Sequence, residues 1–308
     1  MSINESVTMR NLLAVCCVCL GVSSVESAGG QARTNLAELA KAPAGKKIAY
    51  GEKPLQFGEL TLPTGAGPHP VVIFIHGGCW LAQYDIKHSR ALANGFARAG
   101  MAVWNLEYRR VGDEGGGWPG SFLDVANGAK HLRALAKEYP LDLARVIVAG
   151  HSAGGHFALW LAANDKLPGD SEIRCGEPIA VVGVLGLAPA PQLAALHEKQ
   201  VCDHVIDKLM GDHQAGSASG PAEFPNRYRD ASPAMMAPLG VRQILVIGKD
   251  DSAWGWVGKA YAKAARAAGD KQIEIIEVPD AGHFEVIDPK STAWPAIRDA
   301  ARSLLGIK

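Results

Sequence analysis

The sequence has no excess of either charge and no apolar run long enough to cross a bilayer. Its 308 residues carry 31 Lys and Arg against 31 Asp and Glu. Nucleic acids and anionic lipids both attract basic surfaces, so balanced charge argues against either as the main partner. A membrane helix needs about 20 apolar residues, and the N-terminal run, residues 12–25, is shorter. Neither a nucleic-acid partner nor an integral membrane span is therefore predicted.

The N-terminus has the three parts of a secretory signal. Arg10 precedes the apolar run 12–25, and small residues follow at 27–29. This order predicts a signal peptide over residues 1–28 and export to the periplasm or outside the cell. A disordered cytosolic leader is the alternative, which the apolar run disfavours. A lipid anchor is a further alternative at three cysteines, although the residues before them are not the small ones that such processing prefers: Cys16, Cys17 and Cys19.

Cysteine is scarce after the predicted signal peptide, where three remain: Cys79, Cys175 and Cys202. Export would place them in an oxidising compartment, where Cys175 and Cys202 are expected either to pair or to remain separate thiols. Cys79 is then the unpaired residue, and its apolar neighbours predict that it is buried.

Short β-branched runs alternate with longer helical patterns along most of the chain. The runs are bounded by turn residues, which is typical of buried strands. Such alternation predicts a mostly parallel sheet with helices on both faces, and residues 57–62 are expected to add an antiparallel edge. The predicted strands are 71–75, 102–106, 146–149, 179–187, 243–247 and 273–278, and the predicted helices are 86–99, 121–138, 155–163, 257–268 and 294–304.

One long region interrupts the alternation. Residues 190–238 lie between two predicted strands and contain Pro, Gly and Ser clusters, with one helix expected over 197–210. A structureless loop of that length is improbable in a compact domain. The sequence therefore predicts a single α/β domain over 29–308 with an inserted, cap-like segment at about 190–238.

A GxSxG pentapeptide, Gly150-His151-Ser152-Ala153-Gly154, stands between a predicted strand and a predicted helix. A serine hydroxyl needs exposure, orientation and a neighbouring base to become a nucleophile. A sharp strand-to-helix turn supplies the exposure, and glycines let it pack closely. Ser152 is the predicted nucleophile. The alternative is a helix cap, with Ser152 as the capping residue.

The segment His76-Gly77-Gly78-Cys79-Trp80 follows another predicted strand. Acyl-bond hydrolysis builds negative charge on the carbonyl oxygen, and backbone N–H groups of a fixed loop stabilise that charge. Gly77, Gly78 and Cys79 are the predicted oxyanion donors, together with the amide of Ala153. His76 is expected to be a structural hydrogen-bonding residue, whereas Trp80 either lines the acyl pocket or packs the loop.

The base and the acid are expected after the last two strands. Gly282-His283-Phe284 lies beyond the last strand, where His283 can reach the serine as general base. Asp250 and Asp251 follow the penultimate strand, and the step from Gly248 favours Asp251 as the triad acid. The resulting order of serine, acid and histidine is the one that the α/β-hydrolase fold requires.

With these motifs, the chain resembles α/β-hydrolases of the esterase branch that carry an HGG oxyanion motif. It is similar to hormone-sensitive-lipase-type esterases and to kynurenine formamidase-like hydrolases, whose loop usually reads His-Gly-Gly-x-Trp. The resemblance runs from about Phe57 to the C-terminus. It implies a triad of Ser152, Asp251 and His283 and an architectural role for Tyr108-Arg109, Trp118-Pro119 and Asp124. Cys79 replaces the aromatic residue that formamidases often carry.

The function expected from these residues is a carboxylesterase that acts on small or medium acyl groups of small molecules. An arylformamidase is the nearest alternative, because a formyl group needs the same serine, base and donors. A peptidase, a polysaccharide deacetylase and a hydrolase-like binding protein without catalysis are the others. No metal or organic cofactor is expected. His204 and His213 lie near Cys202 but lack a recognised ligand spacing, and a solvated helix face is preferred.

Overall fold

An eight-stranded sheet forms the centre of the computed structural model, which describes residues 34–211 and 220–307. The strands run in the order β1-β2-β4-β3-β5-β6-β7-β8, and both pairings of β2 are antiparallel whereas the rest are parallel. Their bounds are β1 Lys46–Ala49, β2 Phe57–Thr61, β3 His69–Ile75, β4 Ala102–Leu106, β5 Leu141–His151, β6 Gly183–Leu187, β7 Arg242–Gly248 and β8 Ile273–Val278. The predicted α/β-hydrolase sheet with an antiparallel edge is therefore confirmed.

Helices cover both faces of this sheet. α3, α5 and α10 pack on one face, whereas α2 and α11 pack on the other. The α-helices are α1 Leu36–Leu39, α2 Arg90–Arg98, α3 Gly120–Lys130, α4 Leu132–Leu135, α5 Ala153–Ala162, α6 Leu193–Glu198, α7 Val201–Leu209, α8 Pro225–Ala231, α9 Pro233–Met236, α10 Gly255–Ala267 and α11 Trp294–Leu304. Short 3-10 turns occupy Ile86–Ser89, Asn164–Lys166 and Glu285–Ile287. None of the helices in the described ranges is long and apolar enough to cross a membrane.

The central strands explain why two layers of helices are needed. In β3 all seven residues are buried, and neighbouring side chains point to opposite faces because a strand alternates with period two. Val71, Ile73 and Ile75 join one apolar core, whereas Val72 and Phe74 join the other. A continuous apolar run is thus the expected sequence of a strand buried on both faces.

Several element boundaries differ from those predicted. The strand expected over 179–187 begins only at Gly183, whereas β5 extends back to Leu141. The single helix expected over 197–210 is two helices, α6 and α7, because the chain takes left-handed dihedral angles at Gln200. Residues 202–204 are also left-handed, so the first turn of α7 is distorted and its regular part begins after His204. In all, four helices, α6 to α9, occupy the described part of the region between β6 and β7.

The expectation that Cys175 could pair with Cys202 is wrong. Cys202 forms a disulfide with Cys79, whose Cα lies 6.3 Å away, across 123 residues of sequence. Cys175 is a free thiol that donates to Asn127 Oδ1 at 2.8 Å, and the Lys130 ammonium lies 3.1 Å from its sulfur. Sequence separation could not reveal this partner, because the fold decides which cysteines meet. The predicted signal peptide and the other three cysteines lie outside the described residues.

A buried ion pair ties α3 to the segment that follows β4. Asp124 of α3 is fully buried and accepts two side-chain hydrogen bonds from Arg109, each of 2.7 Å, plus one from the Arg109 backbone amide. The Gln56 side chain donates a further 2.7 Å bond. Every carboxylate oxygen is thus satisfied, as a buried charge requires. This geometry agrees with the architectural role expected for Arg109 and Asp124.

His156 is a second buried polar group, on the inner side of α5. Its Nδ1 accepts a hydrogen bond from Trp80 Nε1 at 3.2 Å, and its Nε2 lies 2.8 Å from the carbonyl oxygen of Ala231. The ring is therefore neutral, with its proton on Nε2. Burial lowers the pKa of His156 to about 4, and the hydrogen bond to Ala231 opposes that shift.

Replacing Asp124 by Asn tests the ion pair. Asp124→Asn should lower the free energy of unfolding by about 3 kcal/mol, because Arg109 would retain a mostly buried charge without its counter-charge. Urea denaturation measures the change. Asp299→Asn removes a carboxylate from an exposed pair with Arg298 and is expected to leave the unfolding free energy unchanged within error. Equal effects of the two variants would contradict the structural role of Asp124.

The pKa of His156 predicts a loss of stability in mild acid. Its folded pKa of about 4 lies below the ordinary value of 6.5, so protonation favours the unfolded chain. The stabilisation of the folded chain by neutral His156, up to about 3 kcal/mol, is complete above pH 6.5 and is lost as the pH falls towards 4. Urea unfolding between pH 7.5 and 4.5 measures it. Burial also lowers the pKa of His88, to about 4, and that of His151. His156→Gln, which can keep both hydrogen bonds without titrating, should therefore reduce the pH dependence without abolishing it, whereas His204→Gln, at a half-exposed position, should leave it unchanged. An unchanged slope in His156→Gln would refute this origin.

Candidate active site

Ser152 stands at a sharp turn between β5 and α5, here called the elbow. Its backbone has φ 53° and ψ −115°, a conformation that a non-glycine residue adopts only where its surroundings impose it. Its amide donates to the Leu187 carbonyl of the neighbouring strand at 2.9 Å. The Ser152 side chain makes no capping hydrogen bond to α5, so the geometry does not support the alternative of a simple helix cap.

The two flanking glycines allow this turn to pack against the sheet. A Cβ at Gly150 would collide with the Gly154 carbonyl, and a Cβ at Gly154 would collide with the carbonyl oxygens of Ile75 and His76. Gly154 therefore sits directly against the end of β3, where the HGG motif begins. This close approach brings the two motifs together, and it requires glycine at both positions.

The predicted base and acid are in direct contact. His283 Nδ1 donates to Asp251 Oδ2 at 2.7 Å, and the other carboxylate oxygen of Asp251 accepts the Trp254 amide at 2.9 Å. The Asp251 side chain is almost completely buried, with 1% exposed, whereas Asp250 is exposed. Of the two aspartates, Asp251 is thus the one that the fold brings to the imidazole.

A hydrogen bond from His151 links the elbow to the loop that carries His283. His151 Nε2 donates to the main-chain carbonyl of His283 at 2.9 Å, and the two rings are 4.7 Å apart. Burial, and then the neighbouring His283, lower the pKa of His151 well below its usual range. The Ser152 hydroxyl makes no hydrogen bond to His283 within the described residues. Such contacts are often long without substrate and tighten when it binds.

Trp254, which the sequence analysis did not single out, lies against the predicted base. Its indole stacks against the His283 ring, with centroids 5.7 Å apart and planes 29° from parallel. The Phe284 ring lies edge-on to the imidazole at 5.3 Å. The position of Trp254, three residues after the acid, was the available signal, because an aspartate in a turn commonly accepts the amide that follows it.

Residues 77–80, here called the oxyanion loop after the role predicted for their amides, lie against the elbow. A Cβ at Gly77 would stand 3.2 Å from Ser152 Cβ and 2.7 Å from the His151 carbonyl oxygen. In the described structure the amides of Gly77, Gly78 and Cys79 donate to no other backbone group. The Ala153 amide lies in the first turn of α5, where backbone amides have no hydrogen-bond acceptor within their own helix. Unpaired amides next to a serine can bind an oxyanion, and the positive end of the helix dipole assists them.

A buried pair behind the loop holds its first peptide. His76 Nε2 lies 2.8 Å from Glu107 Oε1, and His76 Nδ1 lies 2.8 Å from the Gly77 carbonyl oxygen. Burial would raise the pKa of Glu107, but the charge and hydrogen bond of His76, with Arg110, hold it below its ordinary value. The structural role expected of His76 is thereby confirmed.

Trp80 is 1% exposed and donates to His156, so its indole packs behind the loop. Its assignment to a substrate pocket stays a prediction. In residues 34–211 and 220–307, no group of three or more His, Cys, Asp or Glu side chains is placed to hold a metal ion. His204 lies on α7 beside Asp207, with 49% of its side chain exposed, and His213 falls outside the described residues.

Comparison with curated proteins finds esterases and a formamidase. Esterase LipC of Mycobacterium tuberculosis is 27% identical over 80% of this chain, and the chain spans only 61% of that protein. Kynurenine formamidase of Danio rerio is 24% identical over 87% of this chain and 82% of its own length.

Solved structures share the fold. A truncated carbohydrate esterase from gut microbiota superposes with a TM-score of 0.71 at 17% identity, over 87% of this chain and 98% of its own. A bacterial heroin esterase does so with a TM-score of 0.67 at 23% identity, over 87% and 88%. The model of the BD-FAE family matches residues 59–241, more than half of the chain. The chain therefore belongs to the BD-FAE family, within the α/β-hydrolases of the HGG esterase type.

Proposed function

We propose that the chain is a serine carboxylesterase that cleaves small or medium acyl esters through an acyl-enzyme on Ser152. The observation that carries this proposal is the 2.7 Å bond between His283 and Asp251 beside the strained turn at Ser152. A base with an oriented imidazole, next to a serine that faces unpaired amides, is the arrangement that acyl transfer requires.

In the first step the Ser152 oxygen attacks the acyl carbon, and its proton passes to His283 Nε2. The carbonyl π electrons move to the oxygen, which becomes an oxyanion. The amides of Gly77, Gly78, Cys79 and Ala153 are the proposed donors to that charge. Because they belong to a fixed loop and to a helix end, they need no reorganisation as the charge develops.

The intermediate then collapses, and His283 returns the proton to the leaving alcohol. Water enters, gives its proton to the same imidazole and attacks the acyl-enzyme, which restores the serine and releases the acid. Asp251 keeps the His283 proton on Nδ1 and stabilises the imidazolium that forms in each half-reaction. The Trp254 amide and indole keep both groups in this orientation.

Arylformamidase activity is the second candidate, favoured by the similarity to kynurenine formamidase over 82% of that protein. A formamide would use the same nucleophile, base and donors. The two candidates differ in the leaving group, an alcohol for the ester and an arylamine for the formamide. Parallel assays with p-nitrophenyl acetate, N-formylkynurenine and an acetylated sugar distinguish them, and we expect the highest kcat/KM on an ester.

We further propose export through the signal peptide predicted at residues 1–28. The disulfide between Cys79 and Cys202 supports this proposal, because such bonds persist in oxidising compartments and are rare in the cytosol.

Removal of the nucleophile tests the enzyme proposal. Ser152→Ala should lower kcat for p-nitrophenyl acetate by at least about 10⁴-fold and abolish labelling by a fluorophosphonate, and His283→Ala should lower kcat nearly as much. Ser171→Ala is the matched control, since that hydroxyl has no hydrogen-bond partner in the described structure. Equal labelling of wild type and Ser152→Ala would instead favour the non-catalytic binding protein.

The two adjacent aspartates provide an internal comparison. Asp251→Asn should lower kcat by roughly 10²- to 10⁴-fold, because an amide can hold the imidazole in the wrong tautomer and cannot stabilise its charge. Asp250→Asn should stay within about twofold of wild type, since its side chain is exposed. Steady-state kinetics on the same ester measures both. A large loss in Asp250→Asn with none in Asp251→Asn would reverse the assignment.

A further inference from the structure

The Cys79–Cys202 disulfide connects two functional parts of the chain. Cys79 belongs to the oxyanion loop, and its amide is one of the proposed oxyanion donors. Cys202 belongs to α7 in the inserted segment, 123 residues further along the chain. The other end of α7 is attached to the main domain, because the Leu209 carbonyl accepts the Trp118 amide at 2.7 Å. The disulfide therefore attaches the near end of this helix to the oxyanion loop.

Both cysteines lie in left-handed backbone. In the oxyanion loop φ is +115° at Gly78, +52° at Cys79 and +56° at Trp80. In the inserted segment φ is +51° at Gln200 and between +48° and +56° over residues 202–204. Residues with a Cβ disfavour this region, and they stay in it only where surrounding contacts hold them.

Contacts other than the disulfide hold the two sides of Cys79. The Gly77 carbonyl oxygen lies 2.8 Å from His76 Nδ1, and Trp80 is held by His156 and by its carbonyl, which accepts the Val111 amide at 2.8 Å. Cys79 lies between these anchors, and its own side chain forms the disulfide. The Cys79 N–H lies in one peptide plane with the Gly78 carbonyl, which accepts the Leu81 amide at 2.9 Å. That turn encloses Cys79, so the left-handed φ of Cys79, the turn and the direction of the Cys79 N–H change together, and the bond to Cys202 acts on all three.

We propose that Cys202 is a positioning residue for the oxyanion site, and that the hydrolytic activity depends on its bond to Cys79. This inference rests on the proposed esterase function. When the bond is reduced, Cys79 can leave the left-handed region, and its amide turns away from the developing oxyanion. Substrate binding changes less than turnover, since the oxyanion exists only in the transition state and the intermediate.

If hydrolysis depends on the Cys79–Cys202 bond, the activity also depends on the redox state of the compartment that holds the protein. In a reducing cytosol the two thiols would remain separate and the oxyanion site incomplete. After export, thiol–disulfide exchange with an oxidised dithiol of the new compartment would form the Cys79–Cys202 bond and reduce that partner to two thiols. The chain would thus gain full activity only where disulfides form. Cys175, held by Asn127 and Lys130, takes no part in this change.

Reduction with a water-soluble trialkylphosphine tests the proposal on the wild-type protein. The phosphine transfers two electrons to the disulfide and becomes its oxide, while water supplies the oxygen and the two protons of the new thiols. We expect kcat for p-nitrophenyl acetate to fall at least tenfold with KM changed less than threefold. It should recover when the phosphine is removed and oxidised glutathione re-forms the bond by thiol–disulfide exchange, with release of two reduced glutathione molecules. Alkylation and peptide mass mapping, before and after reduction, verify that Cys79 and Cys202 changed state.

Two variants complete the experiment. Cys202→Ser should show the low kcat without reductant and no further response to it, whereas Cys175→Ser should keep the wild-type kcat and the wild-type response. Unchanged kcat after complete reduction would overturn the proposal. So would loss of the far-UV circular dichroism on reduction, because the bond would then maintain the fold and not the donor. An oxidised protein that hydrolyses neither esters nor formamides would instead refute the proposed function.

Discussion

The turn at Ser152 requires a very close approach between backbone segments, and most of the site depends on that approach. A strand that ends inside a parallel sheet must pass into a helix within one residue, which places Ser152 at φ 53°. Its glycine neighbours permit this in two ways: the space of a Cβ at Gly150 is filled by the Gly154 carbonyl of the same turn, and that of a Cβ at Gly154 by the Ile75 carbonyl at the end of β3. The same contact brings the end of β3, and so the HGG segment, beside the serine. The proposed nucleophile and the candidate donors are thereby positioned by a single packing constraint.

Buried polar groups then hold the loops around this turn. His76 with Glu107 lies behind the oxyanion loop, Asp251 holds the imidazole of His283, and His151 ties that histidine's carbonyl to the elbow. Each of these groups is buried and makes the hydrogen bond named here, although the Nδ1 of His151 is buried with no partner among the described residues. Breaking any of these bonds would leave a further buried polar atom unpaired, which makes the arrangement costly to distort. Polar contacts of this kind are also directional. They determine where the loops stand more narrowly than apolar packing alone would.

The disulfide differs from these contacts because its formation depends on the surroundings of the protein. It joins the oxyanion loop to a helix of the inserted segment, and both of its ends lie in left-handed backbone. A bond that closes so long a loop stabilises the folded chain by about 5 kcal/mol in the chain-entropy model. Its position next to a candidate donor gives it a second consequence, since it can influence the geometry of the site as well as the stability of the fold.

The order of short β-branched runs and helices determined the sheet and its covering layers, because periodicity is a local property of the chain. The GHSAG, HGG and GHF segments likewise identified Ser152, the oxyanion loop and His283 as candidates from their places after strands. Other features required distant segments to meet. Asp251 was distinguished from Asp250 by burial and by its bond to His283, the partner of Cys202 proved to be Cys79, and Trp254 was found against the imidazole. The sequence by itself thus determined which residue types stand at the ends of the strands. Only the tertiary structure decided which of them touch, because contact between distant residues depends on how the sheet and the loops pack in three dimensions.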